Sequence, residues 1–507
     1  MRFCCLAQII INVMEGIKKK RIISRHIYGH FSEHLGRCIY DGFWVGEDSS
    51  ISNTRGIRND IVRALRKIKI PNLRWPGGCF ADEYHWKNGI GPKENRSKTI
   101  NTHWGGVIEN NQFGTHEFFD LCQQLNCEPY ISGNVGSGTV KEMSDWIEYI
   151  TFDGESTISA LRKSNGRSGA WKIKYWGIGN ENWGCGGNMT AKYYADLFCH
   201  YSTYCKNLSN NRLYKIACGP VGEYPIKWVL NWIDVLLDRL TSSYGKLFDG
   251  ISLHYYTRAG YGTSATNFNE KKWFLTMQKA LYIETLIEAI SKLMDKYDPS
   301  KKYSLIIDEW GTWWRVEKDT NPSFLYQQNT MRDALVASLH FDIFNNHCER
   351  VHMANIAQTI NVLQALILTK NEKMILTPTY HVFDMYQVHQ GAILLPMNIT
   401  SKDYTFKQEK IPMVHGSASI NNEGTISISL SNIDPSNSIE IDLNLNDQII
   451  KKIDATILRG REMNSHNTFD FPENVKPIEF PETNFDVKNN HISFKMPSMS
   501  ITRLRIS

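Results

Sequence analysis

No stretch of the chain approaches the roughly 18 consecutive apolar residues of a membrane-spanning helix, so no membrane partner is expected. A charge of one sign is missing too. The 57 Lys and Arg stand against 52 Asp and Glu for a net +5, and the longest basic run, Lys18 to Arg21, is too short for a nucleic-acid footprint. Cysteine occurs eleven times but without framework spacing. The one adjacent pair, Cys4-Cys5, has no CxxC or His companion, so neither a zinc site nor a structural disulfide is expected, and the thiols are read as reduced and mostly buried. Fixed-period repeats and low-complexity tracts are also missing. The apolar opening MRFCCLAQIIINV is broken by Gln8 and Asn12 and lacks a small-residue cleavage site. We therefore read it as a first β-strand rather than an export signal, with the cytoplasm as the expected location.

What is present is length and alternation. At 507 residues there is room for a barrel of about 250 residues or more and a second domain. Between residues 22 and 384 short apolar runs alternate with longer helical patterns. Eight runs stand out: HIYGHF (26–31), NLRWPGG (72–78), PYISGNVG (129–136), KYWGIGNE (174–181), YKIACGP (214–220), FDGISLHYY (248–256), YSLIIDE (303–309) and RVHMANIAQ (350–358). Eight such runs with helices between them predict a closed (β/α)8 TIM barrel of parallel strands. In NDIVRALRKIKI, Ile61, Leu65 and Ile68 recur at helical spacing and would lay one apolar face on that barrel.

After Tyr386 the texture changes to period-two alternation, as in GTISISLSNI and MSITRLRIS, which predicts an additional antiparallel β-sandwich domain. The expected division is residues 18–385 for the barrel and 386–507 for the sandwich, joined by the N-terminal strand of residues 1–17.

Two runs close on carboxylates: Asn180-Glu181 in KYWGIGNENWG and Asp308-Glu309 in YSLIIDEWG. A lone strand-end Glu is ordinarily a surface residue. Two of them at the C-terminal ends of different barrel strands meet the requirement of retaining glycoside hydrolysis for a proton donor and a nucleophile. Glu33, Arg74, Cys79, His254, Tyr256 and Gln358 fall on the same rim. Composition agrees in a general way: 14 Trp offer apolar platforms for sugar rings, although most Trp pack in cores.

At these residues the sequence resembles the α-L-arabinofuranosidases of glycoside hydrolase family 51. The resemblance runs through IYGHFSEHLGRCIYDGFWVG, RWPGGCFADEYHWKNGIGP, WGGVIENNQFGTHEF, YWGIGNENWGCGG, ISLHYY, IDEWGTWW, QQNTMRDALVAS and ANIAQTINVLQALILT, and continues in MNSHNTFDFPENVKP and PSMSITRLRI. It implies Glu181 as general acid/base and Glu309 as nucleophile. It further implies Asn180 against the sugar 2-hydroxyl, Glu33 and Gln358 on other furanose hydroxyls, and Tyr256 beside the ring and the nucleophile. Arg74 would hold Glu309 ionised by charge and hydrogen bonding. A barrel-rim salt bridge is the plain alternative for Arg74, a turn role for Asn180, and a satisfied core residue for His254. Cys79 stands where some members have Asn, and sulfur makes a weaker hydrogen bond than an amide. Trp104 resembles an aromatic on the leaving-group side, with Trp183, Trp310, Trp313 and Trp314 as further candidates unless they pack in the core.

The expected activity is release of terminal non-reducing α-L-arabinofuranosyl residues from arabinan, arabinoxylan or arabino-oligosaccharides, by exo-acting retaining hydrolysis without metal or organic cofactor. An endo-glucanase or xylosidase on the same scaffold, or a non-catalytic carbohydrate-binding protein, are the competing readings. The family resemblance implies a homo-oligomer, a hexamer.

Overall fold

A computed structural model describes residues 6–243, 245–446 and 448–507. The Cys4-Cys5 pair lies outside the described residues. All eight sequence runs become strands of one closed parallel barrel: β1 (Gly29–Phe31), β2 (Asn72–Trp75), β3 (Glu128–Gly133), β4 (Tyr175–Ile178), β5 (Tyr214–Ala217), β6 (Gly250–Thr257), β7 (Ser304–Thr312) and β8 (Val351–Ile356). Closure comes where Asn355 of β8 pairs with Gly29 of β1. Most of these strands are buried over most of their length, which is why the runs read as continuously apolar rather than alternating.

The helix Asn59–Lys67 shows how the outer ring is specified. It buries Ile61, Ala64 and Leu65, carries Asp60 in its first turn and Arg66 and Lys67 in its last, and so matches both the core and its own dipole. It ends where Lys69 takes a left-handed φ of 53°. Truncating Leu65 to Ala would cost about 2–5 kcal/mol, because the barrel wall beneath it cannot close over the cavity.

Beyond the barrel, two sheets form the second layer pair. The five-stranded sheet orders Met397–Thr400, Leu6–Ile11, Ile439–Asn444, His491–Met496 and Phe485–Lys488. The six-stranded sheet orders Ile393–Leu395, Val414–Ile420, Ile426–Asn432, Ser500–Ile506, Ile453–Arg459 and Ile478–Glu479. The strand Leu6–Ile11 lies within the five-stranded sheet, beside Met397–Thr400. It pairs parallel with Ile439–Asn444, so that sheet is not wholly antiparallel. Among the described residues, no helix is long and apolar enough to cross a membrane.

One expectation fails. Cys79 and Cys185 form a disulfide across 106 residues of sequence, whereas no disulfide was expected. Seven other described cysteines are free.

Candidate active site

The C-terminal ends of the barrel strands converge on Arg74, at the end of β2. Its guanidinium is buried and donates to four groups: Glu309 Oε1 at 2.9 Å, the Asp308 carbonyl at 3.1 Å, Asn180 Oδ1 at 2.6 Å and Ser132 Oγ at 2.9 Å. The Phe31 ring lies 4.5 Å beneath it. This is no exposed rim pair: residues of β1, β3, β7 and the β4 turn meet on one cation. Burial opposes its charge, but Asp308 and Glu309 more than offset that and raise it further above the ordinary Arg range.

Glu181 and Glu309 arrive from β4 and β7. The chain turns sharply after β4, with Gly179 at φ 92° and Glu181 at φ 43°, a left-handed conformation uncommon outside glycine. Asp82 braces this turn by accepting from the backbone N–H of Asn180 at 3.1 Å and from those of Val135 and Gly136 at 2.8 and 2.7 Å. Burial pushes Asp82 up to about 7 against those three donors. The resulting placement brings a carboxylate oxygen of Glu181 within 4.8 Å of one of Glu309.

Between the two carboxylates stands His254 of β6, the register partner of Glu309. Its Nδ1 is 2.9 Å from Glu181 Oε1 and 3.5 Å from Glu309 Oε2, and its Nε2 is 3.2 Å from Asp308 Oδ1. Burial disfavours the imidazolium, but Glu309, Asp308 and Glu181 together raise it to about 10. At neutral pH His254 is therefore a cation, with Nδ1 hydrogen-bonded to Glu181 Oε1 and Nε2 paired by charge with Asp308. Burial alone would raise Asp308, yet Arg74, His254 and Tyr130 hold it below the ordinary carboxylate range. Tyr256, two residues along β6, donates to Glu309 Oε2 at 2.8 Å.

Glu33, just beyond β1, forms the other wall. One of its oxygens accepts from Gly78 N, Phe80 N and Trp104 Nε1 at 3.0–3.1 Å, and the other from Gln358 Nε2 at 3.0 Å. Burial, and then the negative Glu309, push it up to about 7 despite these donors. Trp104 thus sits against Glu33. The two glycines of RWPGG make this closeness possible: a Cβ at Gly77 would stand 2.7 Å from Glu33 Cγ, and one at Gly78 3.0 Å from Glu309 Oε1. Among the buried polar atoms here that lack a hydrogen-bond partner are Asn180 Nδ2 and Gln358 Oε1. One is a donor and the other an acceptor, as a ligand hydroxyl requires.

All ten candidate residues therefore come together, but Cys79 in another chemical form than expected. Bonded to Cys185, its sulfur carries no proton and cannot donate. Trp310 and Trp314 do not line the site: Trp310 packs outward on Phe341, Phe344 and Phe383, and Trp314 is buried with its indole N–H on Asp333. Trp313 meets the Tyr256 ring edge-on at 5.1 Å, and Trp183 meets Tyr224 at 5.7 Å. A cleft of ≈ 520 Å³ bounded by Glu223, Tyr224, Tyr256, Arg258 and Tyr261 opens beside Tyr256. Sequence reasoning gave no role to Asp82, Asp308, Tyr130 or Ser132. Asp82 and Asp308 stood inside quoted motifs, and burial is what reveals them.

Known proteins carry the same sequence features. Residues 308–500 match the α-L-arabinofuranosidase C-terminal domain, and residues 64–271 the α-L-arabinofuranosidase 1 domain. A Bacteroides ovatus protein named intracellular exo-alpha-L-arabinofuranosidase is 51% identical over 504 residues, spanning 99% of this chain and 95% of that one. The chain belongs to the α-L-arabinofuranosidases of glycoside hydrolase family 51. A family 51 arabinofuranosidase crystal structure from Xanthomonas axonopodis pv. citri superposes with a TM-score of 0.95 at 43% identity, covering 99% of this chain and 100% of that one. An α-L-arabinofuranosidase from Thermotoga maritima, solved as an arabinose complex, gives 0.85 at 29% identity over 98% of this chain and 99% of that one. The family 51 barrel thus presents Glu181, His254 and Glu309 on one rim.

Proposed function

We propose that this protein is a retaining, exo-acting α-L-arabinofuranosidase, with Glu309 as nucleophile and Glu181 as general acid/base. The observation that carries this is the approach of the two carboxylates to within 4.8 Å. Retaining enzymes hold the pair about 5–5.5 Å apart and inverting ones about 6.5–9.5 Å, since the latter must admit a water between carboxylate and sugar. The oxygen-to-oxygen approach within 4.8 Å fits the retaining spacing.

Glu309, fixed by Arg74 and Tyr256, attacks the anomeric carbon while Glu181 protonates the departing oxygen. Water, deprotonated by Glu181, then releases the sugar from Glu309. Asn180 Nδ2 is free to donate to the 2-hydroxyl, and Gln358 Oε1 and Glu33 to receive other hydroxyls. The closed wall of Glu33, Gln358 and Trp104 favours a terminal furanose over a chain passing through. The cleft beside Tyr256, with Trp313 and Trp183 near it, suits the leaving group.

The catalytic unit in this reading is residues 18–385, with 386–507 and the first strand as its partner domain. We assign a homo-hexamer by family resemblance, checked by sedimentation or light scattering. A cytoplasmic location follows the naming of the Bacteroides relative as intracellular. That compartment would hold Cys79 and Cys185 reduced.

Product analysis on branched arabinan, debranched arabinan and arabinoxylan tests the activity. Arabinose alone should appear. Oligosaccharides would show endo action, and xylose or glucose release would move the enzyme to another specificity.

A further inference from the structure

The proposed proton donor lies against two sulfurs. Glu181 Oε2 is 3.4 Å from Cys185 Sγ and 3.8 Å from Cys79 Sγ, while its other oxygen faces His254. Cys79 opens the turn after β2, and Cys185 lies in the turn after β4, where Gly184 N and Gly186 N both donate to the Glu181 carbonyl. Both cysteines and Glu181 are only half-buried, so solvent reagents reach them. The cysteine Cα atoms stand 5.6 Å apart.

We propose that reduction of Cys79–Cys185 creates a binding site for a soft divalent cation, Zn2+ or Cd2+, made of the two thiolates and Glu181, and that its occupation stops turnover. One potential ligand atom from each of the three residues lies within 4.8 Å of the others. In tetrahedral zinc sites thiolate sulfur sits about 2.3 Å and carboxylate oxygen about 2.0–2.2 Å from the metal, so neighbouring ligand atoms are about 3.3–3.8 Å apart. The two sulfur-to-oxygen separations already match that spacing. Once the S–S bond opens, only the sulfurs must move apart. Two thiolates favour zinc and cadmium over magnesium or calcium, and the fourth position is left for water.

The chemistry balances. With a water-soluble phosphine, an electron pair leaves phosphorus for the disulfide, water supplies one proton to each sulfur, and its oxygen leaves as phosphine oxide. The metal then displaces the two thiol protons to solvent. A metal on Glu181 removes the oxygen needed for protonating the leaving group. Metal binding stands on the cysteines and the carboxylate alone, whereas the loss of turnover rests on Glu181 being the acid/base.

The test uses full-length enzyme, either as the disulfide or reduced by phosphine and desalted under argon. Co2+ and Zn2+ are the probes. Reduced enzyme should take one ion per chain, show a sulfur-to-cobalt charge-transfer band in the near ultraviolet, and lose at least tenfold in kcat on an aryl arabinofuranoside, restored by EDTA. Oxidised enzyme should show neither band nor inhibition, and Cys185→Ser should lack the band with or without phosphine. A reduced wild type without the band, or a reduced Cys185→Ser that binds as tightly, would overturn the site. Thiolate-bound zinc with undiminished turnover would leave the site standing and remove Glu181 from the acid/base role.

Discussion

His254 Nδ1 lies 2.9 Å from Glu181 Oε1, and this contact puts a buried cation beside both the proposed proton donor and the nucleophile, whose carboxyl oxygens approach within 4.8 Å. The imidazolium therefore acts on both groups at once.

Removing that cation should be costly to rate and should change the pH dependence of stability. His254→Gln keeps one donor but no charge, and we expect kcat to fall by about 100- to 1000-fold, the range for losing one preorganised electrostatic contact. In the folded protein His254 is raised to about 10 from an ordinary 6.5. Its stabilisation is thus full below about 6.5 and disappears as pH rises through about 10. The wild-type Tm should decline across that window more steeply than the variant's, measured by scanning calorimetry at fixed ionic strength. Parallel curves would mean His254 is neutral throughout.

Gly78→Ala tests how tightly the nucleophile is held. The new Cβ would stand 3.0 Å from Glu309 Oε1, and that oxygen is also the one bonded to Arg74. Misplacement of a reacting group by about 1 Å can cost roughly 100-fold. We expect kcat/KM down by about 10- to 100-fold with Tm nearly unchanged. Equal activity would show that the carboxylate has slack.

The barrel was legible because burial on both faces makes each strand a short apolar run, and helices separate them at regular intervals. The rim positions of Glu181 and Glu309 were legible because both residues close apolar strand runs, and strand ends are where this fold builds sites. What failed has a local cause in each case. Trp310 follows Glu309 on β7, and strand alternation turns it to the opposite face, into the helix layer with Phe341 and Phe383. The Cys79–Cys185 bond joins residues 106 apart, and spacing alone cannot pair two cysteines out of eleven. Asp82 acts through backbone N–H groups of two other loops, a relation that no motif spells out.

Chelation should leave the oxidised enzyme fully active. Neither carboxylate step needs a Lewis acid, since His254 and Arg74 already supply fixed positive charge where it is needed. Overnight dialysis against EDTA followed by kinetic assay is the measurement. Activity lost and then recovered with a divalent ion would require a metal in the mechanism.

The two glutamates should fail differently when replaced by Ala. A nitrophenolate leaves without a proton, so Glu181→Ala should still form the glycosyl-enzyme on Glu309 and then stall without a base, lowering kcat by about 100- to 10,000-fold. Azide needs no deprotonation. It should restore turnover in this variant by attacking the intermediate from the face the leaving group vacated, giving the α-arabinofuranosyl azide. Glu309→Ala has no nucleophile, and azide seated in the space of the lost carboxylate should displace the leaving group directly to give the β-azide. NMR assignment of both products decides the roles. Exchanged configurations would mean that Glu309 is the acid/base and Glu181 the nucleophile, while wild-type hydrolysis of natural arabinan by either variant would remove that glutamate from the mechanism.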